Sequence, residues 1–348
     1  MQSNKILLGV TGSIGAYKAC FLLRRMRERG ADVKVAMTES GAKMVGTSTF
    51  HALSGHPVIT DLWDLEKTSS GEIHIELTDW ADAVVVYPCT ADFLASVTTG
   101  HAGDPLELAA MASRGPVVLV PAMHHRMWSS PATQANVSLL RARGFHVLEP
   151  EVGVLADGSV GPGRLPEPET AMEAVWSALS PQDLAGKRVL VTAGPTREPL
   201  DAVRFLSNPS SGRMGFAVAR VARRRGAEVV LVHGPVSLEP PPGVEAVAVT
   251  TAAEMKAAVD AHFEAADAVV MAAAVADFRP QVAAETKLAR ADGLELRLEP
   301  TTDILAEATA RAREGGDDPA TRPIIVGFAA ETGSLARAPE KAARKGVD

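Results

Sequence analysis

Short apolar runs alternate with longer stretches of helical periodicity along the whole chain. Lys5-Ile-Leu-Leu-Gly-Val10 leads into a glycine-bearing turn, a helical stretch that stops at Gly30, and a second apolar run from Ala31. That order predicts strand, loop, helix, glycine stop, strand, the opening of a βαβ unit. The plan recurs at Lys187-Arg-Val-Leu-Val-Thr-Ala-Gly194, with a longer loop, a helix ending in Arg223-Arg-Arg225-Gly, and the run from Ala227. A second echo pairs residues 81–92 with 266–277, identical at seven of twelve positions. Each copy predicts a buried strand whose carboxyl end runs into small and polar residues, where open parallel sheets bind ligands. The expected fold class is α/β, with two doubly wound parallel-sheet domains.

A chain of 348 residues suits two domains, at roughly 150 residues each. The helical pattern over 171–179 is broken by Ser180-Pro-Gln-Asp-Leu-Ala-Gly186, which puts the linker there and the domains at 1–180 and 187–348. Residues 149–169, rich in Gly and Pro, and 234–243, with four prolines, read as loops. Aromatics make up only 4% against 46% hydrophobic residues, so the cores must be aliphatic, as buried parallel strands require. A net charge of −7 argues against a nucleic-acid partner. The arginine runs at 24–27 and 223–225 instead close helical patterns, where cations complement the helix dipole. Cys20 and Cys89 are the only cysteines, too few for a disulfide framework or a paired metal motif. No apolar run approaches the ~18 residues of a membrane span, and the amino-terminal one is too short for a signal peptide. A soluble cytoplasmic protein with no membrane partner is expected.

Chemistry in the first half begins at Gly9-Val-Thr-Gly12-Ser13-Ile14-Gly15, which follows a strand and opens a helix. Gly12 and Gly15 let the backbone approach a ligand, and a helix N-terminus offers free N–H groups to phosphate. The spacing is not that of a dinucleotide fingerprint, and a plain tight turn would use the same glycines. Thr38-Glu-Ser40 ends the next strand, and Pro88-Cys-Thr90-Ala-Asp follows a third. Hydroxyls at three successive strand ends suit a mononucleotide such as FMN. In the second half, Ser207-Asn208-Pro-Ser-Ser-Gly-Arg213 precedes a helix from about Met214, and its hydroxyls and N–H groups suit an anion. A helix cap alone needs one such residue. No G-x-x-x-x-G-K-[ST] run is present, which argues against a P-loop kinase.

In order, Gly12-Ser-Ile-Gly-Ala-Tyr-Lys, Ala36-Met-Thr-Glu, His74-Ile-Glu-Leu, Pro121-Ala-Met123 and Gly161-Pro-Gly-Arg resemble the flavin-dependent cysteine decarboxylase family. Thr192-Ala-Gly-Pro-Thr-Arg-Glu-Pro, Ser207-Asn-Pro-Ser-Ser-Gly-Arg-Met-Gly, Ala272-Ala-Ala-Val-Ala-Asp277 and Val326-Gly-Phe-Ala-Ala-Glu-Thr narrow the resemblance. They point to the bifunctional phosphopantothenoylcysteine decarboxylase/phosphopantothenate–cysteine ligase family of coenzyme A biosynthesis. For the first half the resemblance implies a flavodoxin-like domain, usually trimeric, with FMN between subunits near Gly12, Ser13, Ile14, Thr38, Ser40, Thr90, Met123 and His124. His74 matches the general base; alone, a histidine between Ile73 and Ile75 would read as a structural strand-end residue. His124 stands where many members carry asparagine to hold the substrate carboxylate. Asp157 stands where they carry a cysteine that protonates the enethiolate. Protonated His124 suits a carboxylate, and Asp157 suits proton donation if desolvation raises its pKa.

For the second half the resemblance implies a Rossmann-like, usually dimeric ligase that activates 4′-phosphopantothenate with CTP and Mg²⁺ through an acyl-cytidylate, then transfers it to cysteine. Arg204 and Asn208 match contacts to the intermediate and substrate, and Lys287 the lysine that stabilises transferred charge. The lysine motif here reads Lys287-Leu-Ala-Arg290. Met271, Ala272, Ala273, Asp277, Thr302, Asp303, Ile304, Leu305, Phe328, Lys341 and Lys345 match positions that contact CTP, with Thr302 in place of the usual proline. The family continues beyond Asp348, which implies a fragment of the ligase domain. The alternative from another class is a non-catalytic flavoprotein or regulatory subunit, motivated by His124 and Asp157. A decarboxylase of peptide cysteines would share the first half alone.

Overall fold

The computed structural model describes residues 4–63, 72–289, 294–314, 322–328 and 346–348. It divides into two compact units, Met1–Ser180 and Pro181–Asp348.

In the first unit, β1 (Lys5–Val10), β2 (Asp32–Met37), β3 (Val58–Ile59), β4 (Ala83–Cys89), β5 (Val117–Pro121) and β6 (His146–Val147) form a parallel sheet in the order β3-β2-β1-β4-β5-β6. Without the two-residue edge strand β3 the order is flavodoxin-like, and with it the order is that of a Rossmann sheet. The helices are α1 (Tyr17–Glu28), α2 (Glu39–Met44), α3 (Thr47–Ser54), α4 (Ile73–Trp80), α5 (Ala91–Thr99), α6 (Pro105–Ala112), α7 (His125–Trp128), α8 (Pro131–Ala142) and α9 (Pro168–Leu179). Alternation along the strands serves two cores. Ile6, Leu8 and Val10 meet residues of α1, α3 and α9, while Leu7 packs with residues of α4, α5, α6 and α8. Both strand faces are therefore apolar, the mark of a doubly covered parallel sheet.

Residues 149–169 are not the loop their composition predicts. They form an antiparallel hairpin, β7 (Glu151–Val154) with β8 (Val160–Arg164), and then the first turn of α9. Gly163, at φ +137, lets β8 pass against the backbone of Met123, where a Cβ would collide with the Met123 carbonyl.

The second unit contains β9 (Arg188–Ala193), β10 (Arg197–Pro199), β11 (Phe205–Ser207), α10 (Arg213–Arg224), β12 (Glu228–His233), β13 (Glu245–Ala248), α11 (Ala252–Phe263), β14 (Ala268–Met271), β15 (Phe278–Pro280), β16 (Leu298–Pro300), α12 (Ile304–Glu314) and β17 (Ile324–Gly327). Its parallel sheet runs β13-β12-β9-β14-β17, a Rossmann order, with α10 packed on one face and α11 and α12 on the other. Two antiparallel pairs, β10-β11 and β15-β16, lie outside it.

The echoes in the sequence correspond to equal registers. Lys5 stands opposite Asp32 and Ile6 opposite Ala83; Arg188 stands opposite Glu228 and Val189 opposite Ala268. The repeated aspartate clamps the first strand in both units. Asp82 accepts the Lys5 N–H at 2.7 Å and donates its own to the Lys5 carbonyl at 2.8 Å. Asp267 does the same with Arg188, at 2.8 Å in each direction. Among the described residues, no helix is long and apolar enough to cross a membrane.

Candidate functional site

In each unit the strand order reverses beside the first strand, between β1 and β4 and between β9 and β14. Ligands of open α/β sheets bind outside the carboxyl ends of the strands at such a point. In the first unit a buried threonine closes it: the Thr11 hydroxyl donates to the Pro88 carbonyl at 2.8 Å and accepts the Thr90 N–H at 3.1 Å. Ser13 then caps the single 3-10 turn Ile14–Ala16, accepting the Gly15 N–H at 3.3 Å. Thr38 caps α2 through Gly41 N–H at 3.0 Å, and Thr90 caps α5 through Phe93 N–H at 3.3 Å. A Cβ on Gly12 would collide with the Ser40 side chain, so the β1 turn and the start of α2 touch. Gly12, Ser13, Thr38, Ser40 and Thr90 thus share one edge, where helical turns present their positive ends. Ile14 extends from it, 69% exposed.

His74 lies in the first turn of α4, not at a strand end. Ile73 and Leu77, four residues apart, are buried, and that helical spacing overrides the strand-like alternation around the histidine. A two-residue link joins the end of α4 to the start of β4, so the first turn of α4 lies toward the carboxyl edge of the sheet. The imidazole has no hydrogen-bond partner among the described residues.

Met123 donates its N–H to the Gly163 carbonyl at 3.1 Å, joining the Pro121-Ala-Met123 segment to the hairpin. His124 caps α7, its Nδ1 accepting the Arg126 N–H at 3.2 Å while Nε2 meets Asp157 Oδ2 at 3.1 Å. With Nδ1 accepting, Nε2 is the ring nitrogen that faces the carboxylate as donor. Asp157 is not the desolvated acid expected of a proton donor. The Ser159 hydroxyl, at 2.7 Å, and its N–H, at 3.1 Å, together with His124, hold the Asp157 carboxyl down at about 2. Its side chain is 53% exposed, so burial does not offset them. The thiols offer no substitute, because burial pushes both Cys20 and Cys89 up.

The second unit repeats the threonine at its own reversal. Thr192, wholly buried, accepts the Ala273 N–H at 3.2 Å on its hydroxyl and the Ala272 N–H at 3.2 Å on its carbonyl. Those two amides are therefore engaged by the end of β9. A Cβ on Gly215 would collide with Ala193, so α10 packs directly on the end of β9. No side chain caps α10, whose Ncap is Gly212 at φ +74. Asn208 donates from Nδ2 to the carbonyls of Ala274, at 3.3 Å, and Val275, at 3.0 Å. Thr301 joins the region by donating its N–H to the Asp277 carbonyl at 2.9 Å, and Phe328 by donating to the Met271 carbonyl at 3.4 Å.

Thr302 is exposed; Asp303 caps α12, accepting the Ala306 N–H at 3.1 Å. Ile304 is 3% exposed and Leu305 packs on the same core, so these two offer a ligand backbone rather than side chain. Arg204 reaches the Leu288 carbonyl at 3.4 Å, which brings it beside the exposed Lys287. Lys341, Lys345 and Arg290 lie outside the described residues. Among the described residues, no cluster of three metal-ligating side chains occurs. A magnesium ion carried on nucleotide phosphates does not require one.

Comparison with known proteins agrees in both halves. Family models match at residues 1–180, described as flavoprotein, and at 184–348, described as DNA/pantothenate metabolism flavoprotein C-terminal domain. The coenzyme A biosynthesis bifunctional protein CoaBC of Escherichia coli strain K12 is 43% identical over 354 residues, covering 100% of this chain and 85% of the relative. Its namesake in Mycobacterium tuberculosis strain H37Rv is 46% identical over 361 residues, covering 99% and 84%. The chain belongs to the bifunctional coenzyme A biosynthesis family. A solved structure of a CoaBC C-terminal domain aligns at 42% identity, covering 47% of this chain and 75% of that one, with a TM-score of 0.40.

Within this family frame, sequence reasoning missed Thr11, Thr192 and Asp201. Each is buried and polar, and each bonds to a segment at least 77 residues away. A threonine at the end of a first strand in both halves was the available signal for the first two; Asp201 gives no local one.

Proposed function

We propose that the first unit binds FMN at the β1–β4 reversal and decarboxylates 4′-phosphopantothenoylcysteine, and that the second forms that compound from 4′-phosphopantothenate, cysteine and CTP. Bound flavin supplies oxidation of the cysteinyl thiol carbon and the return of the electron pair. The chain's residues do the rest. Uncharged hydroxyls and amides at three helical starts hold the anionic cofactor, His74 accepts a proton from the substrate, and His124 offers Nε2–H to its carboxylate once Asp157 gives way.

In the second unit the phosphopantothenate carboxylate attacks the α-phosphorus of CTP and pyrophosphate leaves. The cysteine amine then attacks the acyl carbon, loses a proton and releases CMP. Arg204 and Lys287 neutralise the charge that develops, the open N-terminus of α10 with Arg213 takes phosphate, and Mg²⁺ accompanies the nucleotide. A cytoplasmic homo-oligomer, trimeric through the first unit and dimeric through the second, completes the reading.

The observation that supports it is the repeated reversal point, with hydroxyl caps beside it in one unit and Asn208 bonded to the chain just past β14 in the other. The test supplies phosphopantothenate, cysteine, CTP and Mg²⁺, and detects pyrophosphate, the amide and the decarboxylated thiol by mass. All three products are expected; absence of all three leaves a binding protein. The ionised Asp157, in the family's cysteine position, favours a second reading in which the first unit binds flavin without turnover. Amide without decarboxylated thiol selects it.

A further inference from the structure

Asp201 is 4% exposed, and its carboxylate is fully covered. One oxygen, Oδ1, accepts the N–H groups of Val203, at 2.8 Å, and Arg204, at 2.7 Å, which is an ordinary turn stabilised by its own aspartate. The other oxygen serves no local purpose. Oδ2 accepts the Leu288 N–H at 3.1 Å, 87 residues further along, and lies 3.5 Å from Arg204 Nη1. Arg204 Nη2 in turn meets the Leu288 carbonyl, and Ala284 donates to the Leu200 carbonyl at 3.0 Å. The segment that carries Lys287 is therefore pinned to the Arg204 turn from both ends. Burial alone would raise the pKa of Asp201, but the Arg204, Val203 and Leu288 amides and the Arg204 charge outweigh it and hold the carboxyl below the usual carboxylate range. An ionised, fully engaged carboxylate is a rigid anchor.

We propose that Asp201 is a positioning residue of the ligation step: through Leu288 it fixes Lys287 beside Arg204, so that both cations address the same developing negative charge. This rests on the roles given to Lys287 and Arg204 in the proposed ligase reaction. Neither cation is held by a rigid element of its own. Lys287 is exposed in an irregular segment and Arg204 lies in a turn, so the geometry of the pair depends on the carboxylate between them. Displacement of a charge-stabilising group by about 1 Å costs up to about 100-fold in rate.

The experiment measures CTP-dependent pyrophosphate release by the whole chain in D201N, L288P, K287A and the D201N/K287A double variant, with hydrogen exchange at the Leu288 amide. L288P removes the distant donor and leaves the Asp201 turn intact, so it decides the matter should D201N fail to fold. D201N and L288P are each expected to lower kcat about 10- to 100-fold, with KM for CTP changed less than about threefold. In the K287A background D201N should cost less than about threefold more, because the lysine it positions is gone. Leu288 exchange should quicken in D201N. A D201N penalty that persists in full without Lys287, faster Leu288 exchange with wild-type kcat in D201N, or wild-type kcat in L288P overturns the proposal. K287A turning over at the wild-type rate overturns it as well, and places the failure in the role given to Lys287.

Discussion

Three residues, Thr11, Gly12 and Ser13, separate β1 from the first helical turn of the first unit, whereas residues 194–212 separate β9 from α10 in the second. Strand registers around these two points are the same, and so is the aspartate clamp at the start of the first strand. What differs is the material between strand and helix. The short connection presents hydroxyl caps and suits a bound cofactor that stays in place. The long one holds a β-hairpin that carries Arg204 and Asn208 and can meet several substrates. A common frame thus acquires separate chemistries through one connection, as fold and function are expected to divide.

The comparison breaks most readily at the glycines that let each connection pack. Gly12→Val in the first unit and Gly215→Val in the second should each cost about 1–3 kcal/mol of overpacking. At one decade per 1.4 kcal/mol, strain of that size relieved at the site's expense costs up to about 5- to 150-fold in flavin affinity for the first and in ligase turnover for the second. Flavin absorbance and pyrophosphate release measured on both variants decide it. If Gly12→Val depresses ligation as strongly as flavin binding, the two sites are not separate.

Next in size are the threonines. Thr11→Val leaves both the Pro88 carbonyl and the Thr90 N–H unpaired, and should destabilise the chain by about 2 kcal/mol. Thr192→Val loses the Ala273 N–H contact and a weak one to the Met271 sulfur, about 1 kcal/mol. Urea midpoints give the order, and equal losses would mean the two staples are equivalent.

Asp157→Ala should lower decarboxylation about three- to tenfold, because His124 loses the contact that orients its ring before the substrate carboxylate displaces Asp157, and leave ligation unchanged. Because its carboxyl is held at about 2 in the fold, against an ordinary ~4, its contacts are fully present above pH ~4 and fade only as pH falls towards 2. The pH–rate profile between 5 and 9 should therefore keep its shape in the variant. Loss of a titrating limb would restore Asp157 as the proton donor.

The smallest effect belongs to the strand clamps. Asp82→Ala and Asp267→Ala should each cost about 0.5–1 kcal/mol, by thermal or urea unfolding. The Lys187 ammonium and then the Arg188 N–H hold the Asp267 carboxyl below its ordinary value, so its share persists above pH ~4 and is lost in acid. A large difference between the two variants would contradict the matched registers.

Much of this frame was legible beforehand because its signals are local. Apolar runs with glycine stops mark βαβ units, and both Gly30 and Gly226 adopt the positive φ that ends a helix there. Ser13, Thr38 and Thr90 were equally visible, since the residues that cap helices are also those that greet phosphates. The β7–β8 hairpin was not, because Gly161, Pro162 and Gly163 are loop residues by composition and become strand only through packing on α7 and Met123. His74 misled through the alternation of Ile73, Ile75 and Leu77, when burial follows Ile73 and Leu77 alone. Asp201 was invisible because its distant partner, Leu288, is an apolar residue offering only its backbone.

Asn208 carries one more consequence. With both of its amide hydrogens turned towards the Ala274 and Val275 carbonyls, what the side chain has left to offer is an acceptor oxygen. Such a group welcomes a hydroxyl or an amide and repels a bare oxyanion, so it sorts the two ends of an elongated ligand by polarity.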